Sequence, residues 1–321
     1  MTNTQHDSAS GYNGPIITLN NGIKMPQVGL GTFLIPNEKI SPVIGKAYEL
    51  GYRQFDTAWR YHNEKEIAQA LKDNGIKRED VFITTKVNVD ALFRFGFFYG
   101  KRRIFNIRNF KSVKSVIEES FDNLGTDYID LFLVHWPWPI YYRMYEVLTE
   151  LYKEGRIRAI GVCSCLPPHI ESLKKVSDVL PAVNQFELSP LNTQKQLINY
   201  CQDRGIAVEA MSTFSHFRSN ETRKEIIENE VIGTIAKKYG KTIPQIILKW
   251  LLQQDVIIIP KTWDFNHLKE NISLFDFELT KEDMEIIDGL DQGKFLNYNP
   301  YSSFVGHKKL RGDWKGFENN E

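Results

Sequence analysis

Short β-rich runs alternate with amphipathic helical patterns eight times along this chain. The runs are Val28–Thr32, Gln54–Thr57, Val81–Lys86, Ile129–His135, Ile157–Val162, Ala182–Glu187, Ile206–Met211 and Val256–Pro260. Between them the periodicity predicts helices over Ile40–Leu50, Glu64–Asn74, Ser112–Leu124, Tyr142–Glu154, Pro168–Val176 and Gln194–Arg204. A longer helical stretch follows from Glu221 and includes Pro244–Gln254, and a helix Lys281–Leu290 closes the pattern. Strands joined by helices lie parallel, because a parallel neighbour is reached only by a crossover. The chain holds no Gly-x-Gly-x-x-Gly. The α/β architecture it predicts is therefore a (β/α)8 TIM barrel rather than a doubly wound dinucleotide fold. Ahead of the barrel, Ile16–Met25 reads as a β-hairpin turned by Asn21-Gly22, the pair that a type I′ turn favours.

In such a barrel the chemistry gathers at the C-terminal ends of the strands. Three successive predicted strands end in titratable groups. The stretch Phe55-Asp56-Thr57-Ala58-Trp59-Arg60-Tyr61-His62-Asn63-Glu64 carries Asp56 at a strand end and Tyr61 in the loop after it. Asn63 stands where a helix N-cap belongs, and Glu64 and Glu66 suit the positive end of the helix dipole. The next strand closes on Lys86 and the third on His135. A tyrosine titrates near pH ~10, too high for an efficient proton donor, and an adjacent ammonium lowers that by roughly 1–3 units. Asp56 would keep Lys86 charged and in place, and His135 can hydrogen-bond a substrate oxygen. Together they suit a site that reduces a carbonyl or oxidises an alcohol. Taken singly, each has a plainer reading: a strand-end Asp or Lys is most often an ion-pair partner, and a lone Tyr packs.

The run Gly29-Leu30-Gly31-Thr32-Phe33, then Asp56-Thr57-Ala58 with Tyr61 and Asn63-Glu64, Thr85-Lys86-Val87, Leu124-Gly125-Thr126-Asp127-Tyr128-Ile129-Asp130-Leu131 with His135-Trp136-Pro137, Asn184-Gln185, and Ile259-Pro260-Lys261-Thr262 occur in one order. In that order they resemble the aldo-keto reductases, in particular bacterial members of the 2,5-diketo-gluconate reductase kind. The resemblance implies a barrel whose bottom is plugged by the N-terminal hairpin. It implies hydride transfer from NADPH to an aldehyde or ketone, with Asp56, Tyr61, Lys86 and His135 as the catalytic set and Tyr61 as proton donor.

The same resemblance assigns cofactor contacts to Thr32, Ser164, Gln185, Met211, Ser212, Lys261, Thr262, His267, Glu270 and Asn271. Several depart from the family's pattern. Cys163 and Ser164 stand where a serine and an asparagine are usual, and Met211 stands where an aromatic ring normally stacks on the nicotinamide. Thr213-Phe214 replace Pro-Leu. His267 replaces an arginine at the 2′-phosphate and is mostly neutral at pH 7. The expectation is NADP(H), with NAD(H) less strongly rejected than usual. Substrate would meet Phe33, Arg60, His135 and Trp136, with Trp138 at the rim. Arg60 suits a substrate carboxylate, although an exposed rim charge explains it equally well.

Lys+Arg and Asp+Glu are both 40, so no whole-protein field gathers nucleic acid. Three cysteines fit no disulfide framework, which suits a reducing compartment. No apolar run reaches transmembrane length, and residues 1–14 read as a polar tail without a signal core. The expectation is a single cytoplasmic domain over residues 15–321, monomeric by family default, with a small-molecule carbonyl substrate and neither a membrane nor a nucleic-acid partner. One basic, Phe-rich stretch, residues 90–110, is longer than the family's loop there and reads as an insertion on the barrel rim. Two other readings compete. One is a nucleotide-binding redox sensor or subunit with little turnover. The other is a metal-dependent hydrolase built on Asp56, His135 and Glu187, for which the chain offers no zinc-spaced ligand pairs.

Overall fold

The computed structural model describes residues 11–88, 113–137, 140–214 and 220–295. The 90–110 stretch, Trp138, residues beyond 295 and most of the expected tail lie outside them. At its end the expected tail is already engaged: Tyr12 is buried, and its hydroxyl accepts from Val28 N at 3.0 Å.

Two short strands, β1 (Ile16–Thr18) and β2 (Lys24–Pro26), pair antiparallel. Eight parallel strands follow in sequence order: β3 (Leu30–Gly31), β4 (Gln54–Asp56), β5 (Phe82–Val87), β6 (Ile129–Val134), β7 (Ile157–Cys163), β8 (Val183–Glu187), β9 (Ala207–Met211) and β10 (Val256–Ile258). Val28 bridges in parallel to Ile258, and Gly29 N donates to Ile258 O at 2.8 Å, so the last strand meets the first and the barrel closes. The Gly-Leu-Gly run is needed at this seam. A Cβ on Gly31 would stand 2.7 Å from Ile259 O, which no side chain tolerates.

Around the barrel run α1 (Asn37–Glu49), α2 (Glu64–Asp73), α3 (Val113–Leu124), α4 (Tyr141–Lys153), α5 (Pro167–Leu173) and α6 (Lys195–Gln202). The long helical stretch resolves into α7 (Asn220–Ile227), α8 (Glu230–Tyr239) and α9 (Ile243–Leu252), before α10 (Phe265–Ile272) and α11 (Lys281–Asp288). Local chemistry sets the breaks. Asn229 caps α8 by accepting from Ile232 N, Gly240 ends it at φ 63°, and a Thr242/Gln245 capping box starts α9.

Alternation along each strand sorts two apolar layers. Outward residues such as Phe55, Phe132 and Val134 pack beneath the helices. Inward residues Phe82, Leu131, Leu133, Val183 and Ile257 meet Leu19 and Met25 of the hairpin, which closes the barrel floor. Asn20 and Asn21 donate to Pro181 O and Arg158 O, stitching the hairpin to the strands above it. Its turn differs from the type I′ expectation. Gly22 N donates to Leu19 O at 2.8 Å, and Gly22 alone has positive φ, at 85°. That is a type I turn with glycine in the left-handed position after it, the next commonest hairpin solution. Nearby, Asp130 accepts from Arg78, Arg158 and Ile83 N at 2.7, 2.6 and 2.9 Å. The Leu-Gly-Thr-Asp-Tyr-Ile-Asp motif therefore ties the starts of β5, β6 and β7 rather than serving the site.

His169 shows how burial couples this scaffold to pH. Its Nδ1 accepts from Leu166 N at 3.0 Å and so caps α5 only when unprotonated. Burial lowers its pKa from 6.5 to about 4. The unfolded chain takes up this proton below pH ~6.5 while the folded one refuses it, so the contribution is complete above ~6.5 and is lost as pH falls towards 4. Chemical denaturation should show stability dropping through that window by up to about 1.4 kcal/mol per pH unit from this group. His169→Asn, which retains a capping acceptor, should flatten the drop.

Candidate functional site

Above the apolar floor the inward positions turn polar. Lys86, from β5, is wholly enclosed and donates to both oxygens of Asp56, at 2.6 and 2.7 Å, and to Thr57 O at 2.8 Å. Burial opposes the charge on Lys86, but Asp56, with Tyr61 and Cys163, outweighs it and holds the ammonium above its ordinary value. The ammonium lies 5.1 Å from the centre of the Tyr61 ring. His135 follows β6, with its ring 5.8 Å from that of Tyr61 and crossing it edge-on. The four sequence-predicted groups are thus brought together at the C-terminal mouth of the barrel.

Their electrostatics differ from the simple expectation in one respect. Lys86 does pull the Tyr61 phenol down by charge and hydrogen bonding. Burial is the larger effect, and the phenol is pushed up to about 12. Tyr61 is therefore a fully protonated phenol at neutral pH. Burial first, then Lys86 and Arg60, lower His135 well below its usual value, so it is neutral. Its Nδ1 meets no partner among the described residues. A neutral imidazole in this position can present an N–H to an oxygen without competing for the proton.

The loop after β4 is fixed from beneath. Asn63 sits at the N-cap of α2, but its side chain does not cap. It accepts from Thr57 Oγ1 at 2.6 Å and donates to Thr32 O at 3.1 Å. Glu64 is buried rather than facing the helix dipole in solvent, and takes Thr85 Oγ1 at 2.6 Å and Asn123 at 3.0 Å. These bonds hold the turn that presents Tyr61. Phe33 packs on Tyr61 at 4.7 Å between ring centres, and Trp136 stacks on His135 at 5.6 Å. Arg60 is exposed at the same rim.

The expected cofactor residues fall in two groups. Near the tetrad, Ser164 follows β7 with φ 51° and Ser212 follows β9 with φ 56°, left-handed turns that open the strand ends. Met211 and Ser212 are half-buried there. Gln185 is buried, and its Nε2 donates inward to Asp56 at 3.1 Å and to Glu209 at 2.6 Å. Both amide hydrogens are committed, so Gln185 meets a ligand only as an acceptor, through Oε1. Thr32, at the end of β3, is wholly enclosed and donates to Asp56 O at 2.8 Å.

Beyond β10, the Lys261 ammonium stands 4.4 Å over the Trp263 ring. Partial loss of hydration and the Arg223 guanidinium pull it below its ordinary value. Asp264 caps α10 through Asn266 N and His267 N, which leaves His267 exposed on the first turn. Glu270 accepts from Thr242, and Asn271 is buried.

Gln54 and Glu209 escaped the sequence reading. Both are buried and joined at 2.7 Å inside the barrel. The available signal was a polar residue at an inward position within an otherwise apolar run. The metal-hydrolase alternative loses Asp56 to Lys86, which takes both carboxylate oxygens. No group of three His, Cys, Asp or Glu among the described residues is arranged for a metal ion. Nor, among them, is any helix long and apolar enough to cross a membrane.

A model of the aldo/keto reductase family matches residues 27–292. Glyoxal reductase of Bacillus subtilis (strain 168) is 37% identical over 287 residues, covering 88% of this chain and 95% of that protein. The crystal structure of MGS-M4, an aldo-keto reductase from a Medee basin deep-sea metagenome library, superposes with TM-score 0.78 at 33% identity, covering 91% of this chain and 99% of that one. A Bombyx mori aldo-keto reductase solved in complex with NADP superposes with TM-score 0.74 at 30% identity, over 88% of this chain and 94% of that one. The chain belongs to the aldo/keto reductase family and is an oxidoreductase.

Proposed function

We propose that this protein reduces small aldehydes or ketones to alcohols with NADP(H), and that Tyr61 donates the proton. The observation that carries the reading is the enclosed Lys86–Asp56 pair, held at 2.6 Å beneath the ring of a phenol that opens on an aromatic rim. NADPH, when bound, supplies the hydride. Neutral His135 directs its N–H at the carbonyl oxygen and aligns it. Tyr61 passes its phenolic proton to that oxygen as negative charge develops there. Lys86 stabilises the phenolate left behind, and Asp56 keeps Lys86 charged through the cycle. Phe33 and Trp136 exclude water and favour apolar or small unhydrated carbonyls. The relative named for glyoxal reduction suggests small dicarbonyls as first substrates.

Lys261 and Thr262, joined by Arg223, would hold the 2′-phosphate, with Glu270 and Asn271 at the adenine. Ser164, Ser212 and the Gln185 oxygen would meet the nicotinamide amide, and Met211 would cover its ring. The sensor alternative gains little, because burial pushes the Cys163 thiol well above its ordinary value and keeps it protonated and unreactive. The free cysteines and zero net charge suit a cytoplasmic monomer without a nucleic-acid partner.

Two measurements test this reading. Tyr61→Phe should lower kcat for aldehyde reduction about 10²–10⁴-fold, while NADPH still quenches protein fluorescence as in the wild type. Turnover like the wild type's would remove the donor assignment. Lys261→Ala should weaken NADPH binding about 10–100-fold by loss of a charge-assisted contact and leave NADH binding unchanged. Equal losses for both nucleotides would contradict the 2′-phosphate role.

A further inference from the structure

Beneath the tetrad lies a second polar layer that the proposed roles leave unused. Glu209, in the middle of β9, is wholly enclosed and opposes Gln185 of β8 and Ile257 of β10 in the sheet register. Its Oε1 accepts from Gln54 Nε2 at 2.7 Å and its Oε2 from Gln185 Nε2 at 2.6 Å. The same Gln185 nitrogen reaches Asp56 Oδ2 at 3.1 Å, and Asp56 holds Lys86. An unbroken hydrogen-bonded chain therefore runs from Glu209 to the ammonium beneath Tyr61.

The charges around Glu209 are few. Gln54 and Asp56 face it from β4, Lys86 from β5, Cys163 from β7 and Gln185 from β8, with apolar Ile257 on β10. Asp56 and Lys86 neutralise each other. An ionised Glu209 would leave the enclosed layer one negative charge in excess, whereas a protonated one leaves it balanced. Burial, and then Asp56, accordingly push its pKa from 4.5 to about 8. Gln54 can serve either state. Its Nε2 donates to the carboxylate, while its Oε1 meets no partner among the described residues. Turning the amide end for end offers that oxygen to a carboxylic proton.

We propose that Glu209 is a positioning residue for the reduction: it fixes Asp56 through Gln185, and its charge state sets the pH above which Tyr61 no longer keeps its proton. The inference rests on Tyr61 being the donor. When Glu209 ionises, its negative charge disfavours a phenolate at Tyr61, so Tyr61 stays a phenol to higher pH. Glu209→Gln keeps the shape and removes the charge, so Tyr61 gives up its proton at lower pH. Reduction, which needs the phenol, should fail earlier as pH rises. Alcohol oxidation, which needs the phenolate, should begin earlier.

The first readout requires no turnover. Infrared difference spectra of the protein, titrated from neutral to alkaline pH, should lose a protonated-carboxyl band near pH 8 in the wild type and not in Glu209→Gln. The second is the pH profile of kcat for reduction, whose alkaline limb should move down by about half to one unit in Glu209→Gln. Gln54→Met removes the donor to the carboxylate and keeps Glu209 protonated to higher pH, so its carboxyl band should be lost at higher pH than in the wild type. It serves as the test should Glu209→Gln not fold, with NADPH fluorescence reporting the fold of each. A missing band in the wild type, superimposed limbs, or a uniform loss of rate at every pH would overturn the proposal. Turnover surviving in Tyr61→Phe would bring down the donor assignment and this inference with it. An inactive Tyr61→Phe with an unmoved limb in Glu209→Gln would bring down this inference alone.

Discussion

A buried ammonium against a buried carboxylate is the constraint on which this site depends. Neither Lys86 nor Asp56 could remain charged alone in the barrel, since removing one partner of such a pair typically leaves about 3–5 kcal/mol of uncompensated charge. Together they occupy the centre of the mouth, at 2.6 Å, with Thr57 O as a further acceptor. Buried ion pairs of this kind are often no more stabilising than a well-packed hydrophobic pair. What the ion pair provides instead is a fixed positive charge under a phenol that burial, even against that charge, holds at about 12. The same burial that makes Tyr61 reluctant to ionise strengthens the field of the cation that stabilises its anion.

The barrel exists to hold those groups in register, and its own requirements are met at a distance from them. The floor is apolar and is sealed by the hairpin through Leu19 and Met25. Asp130 ties three strands at that end. The seam between β3 and β10 closes because Gly31 lets the backbones approach. Polar side chains then gather towards the mouth, where hydrogen bonds join them: Gln54 with Glu209, Gln185 with Glu209 and Asp56, and Asp56 with Lys86. A network of this kind is stable only when nearly all of it is satisfied, which is why one strand end cannot be changed independently of the next.

Much of this was legible in the sequence for a physical reason. Strands buried on both faces read as apolar runs, so Asp56, Lys86 and His135 stood out where those runs broke off. What was not legible depended on contacts between strands. Glu209 and Gln54 are inward residues whose partners lie on other strands, and no local pattern joins them. Asn63 and Glu64 looked like helix-start residues but are tied to Thr57, Thr32 and Thr85. Asn21-Gly22 was compatible with two turns, and the barrel floor fixed which one formed. The Tyr61 shift had the wrong net sign because Lys86 was visible in the sequence and the degree of enclosure was not.

In the proposed reduction the enclosed lysine makes Tyr61 a usable acid. Single-turnover oxidation of bound NADPH by glyoxal, compared between the wild type and Lys86→Met, tests it most directly. The expected result is a slowing of at least ~10²-fold in a variant that still binds NADPH. A single-turnover rate near that of the wild type would mean that the phenolate needs no buried cation, and that the Lys86–Asp56 pair serves the fold alone.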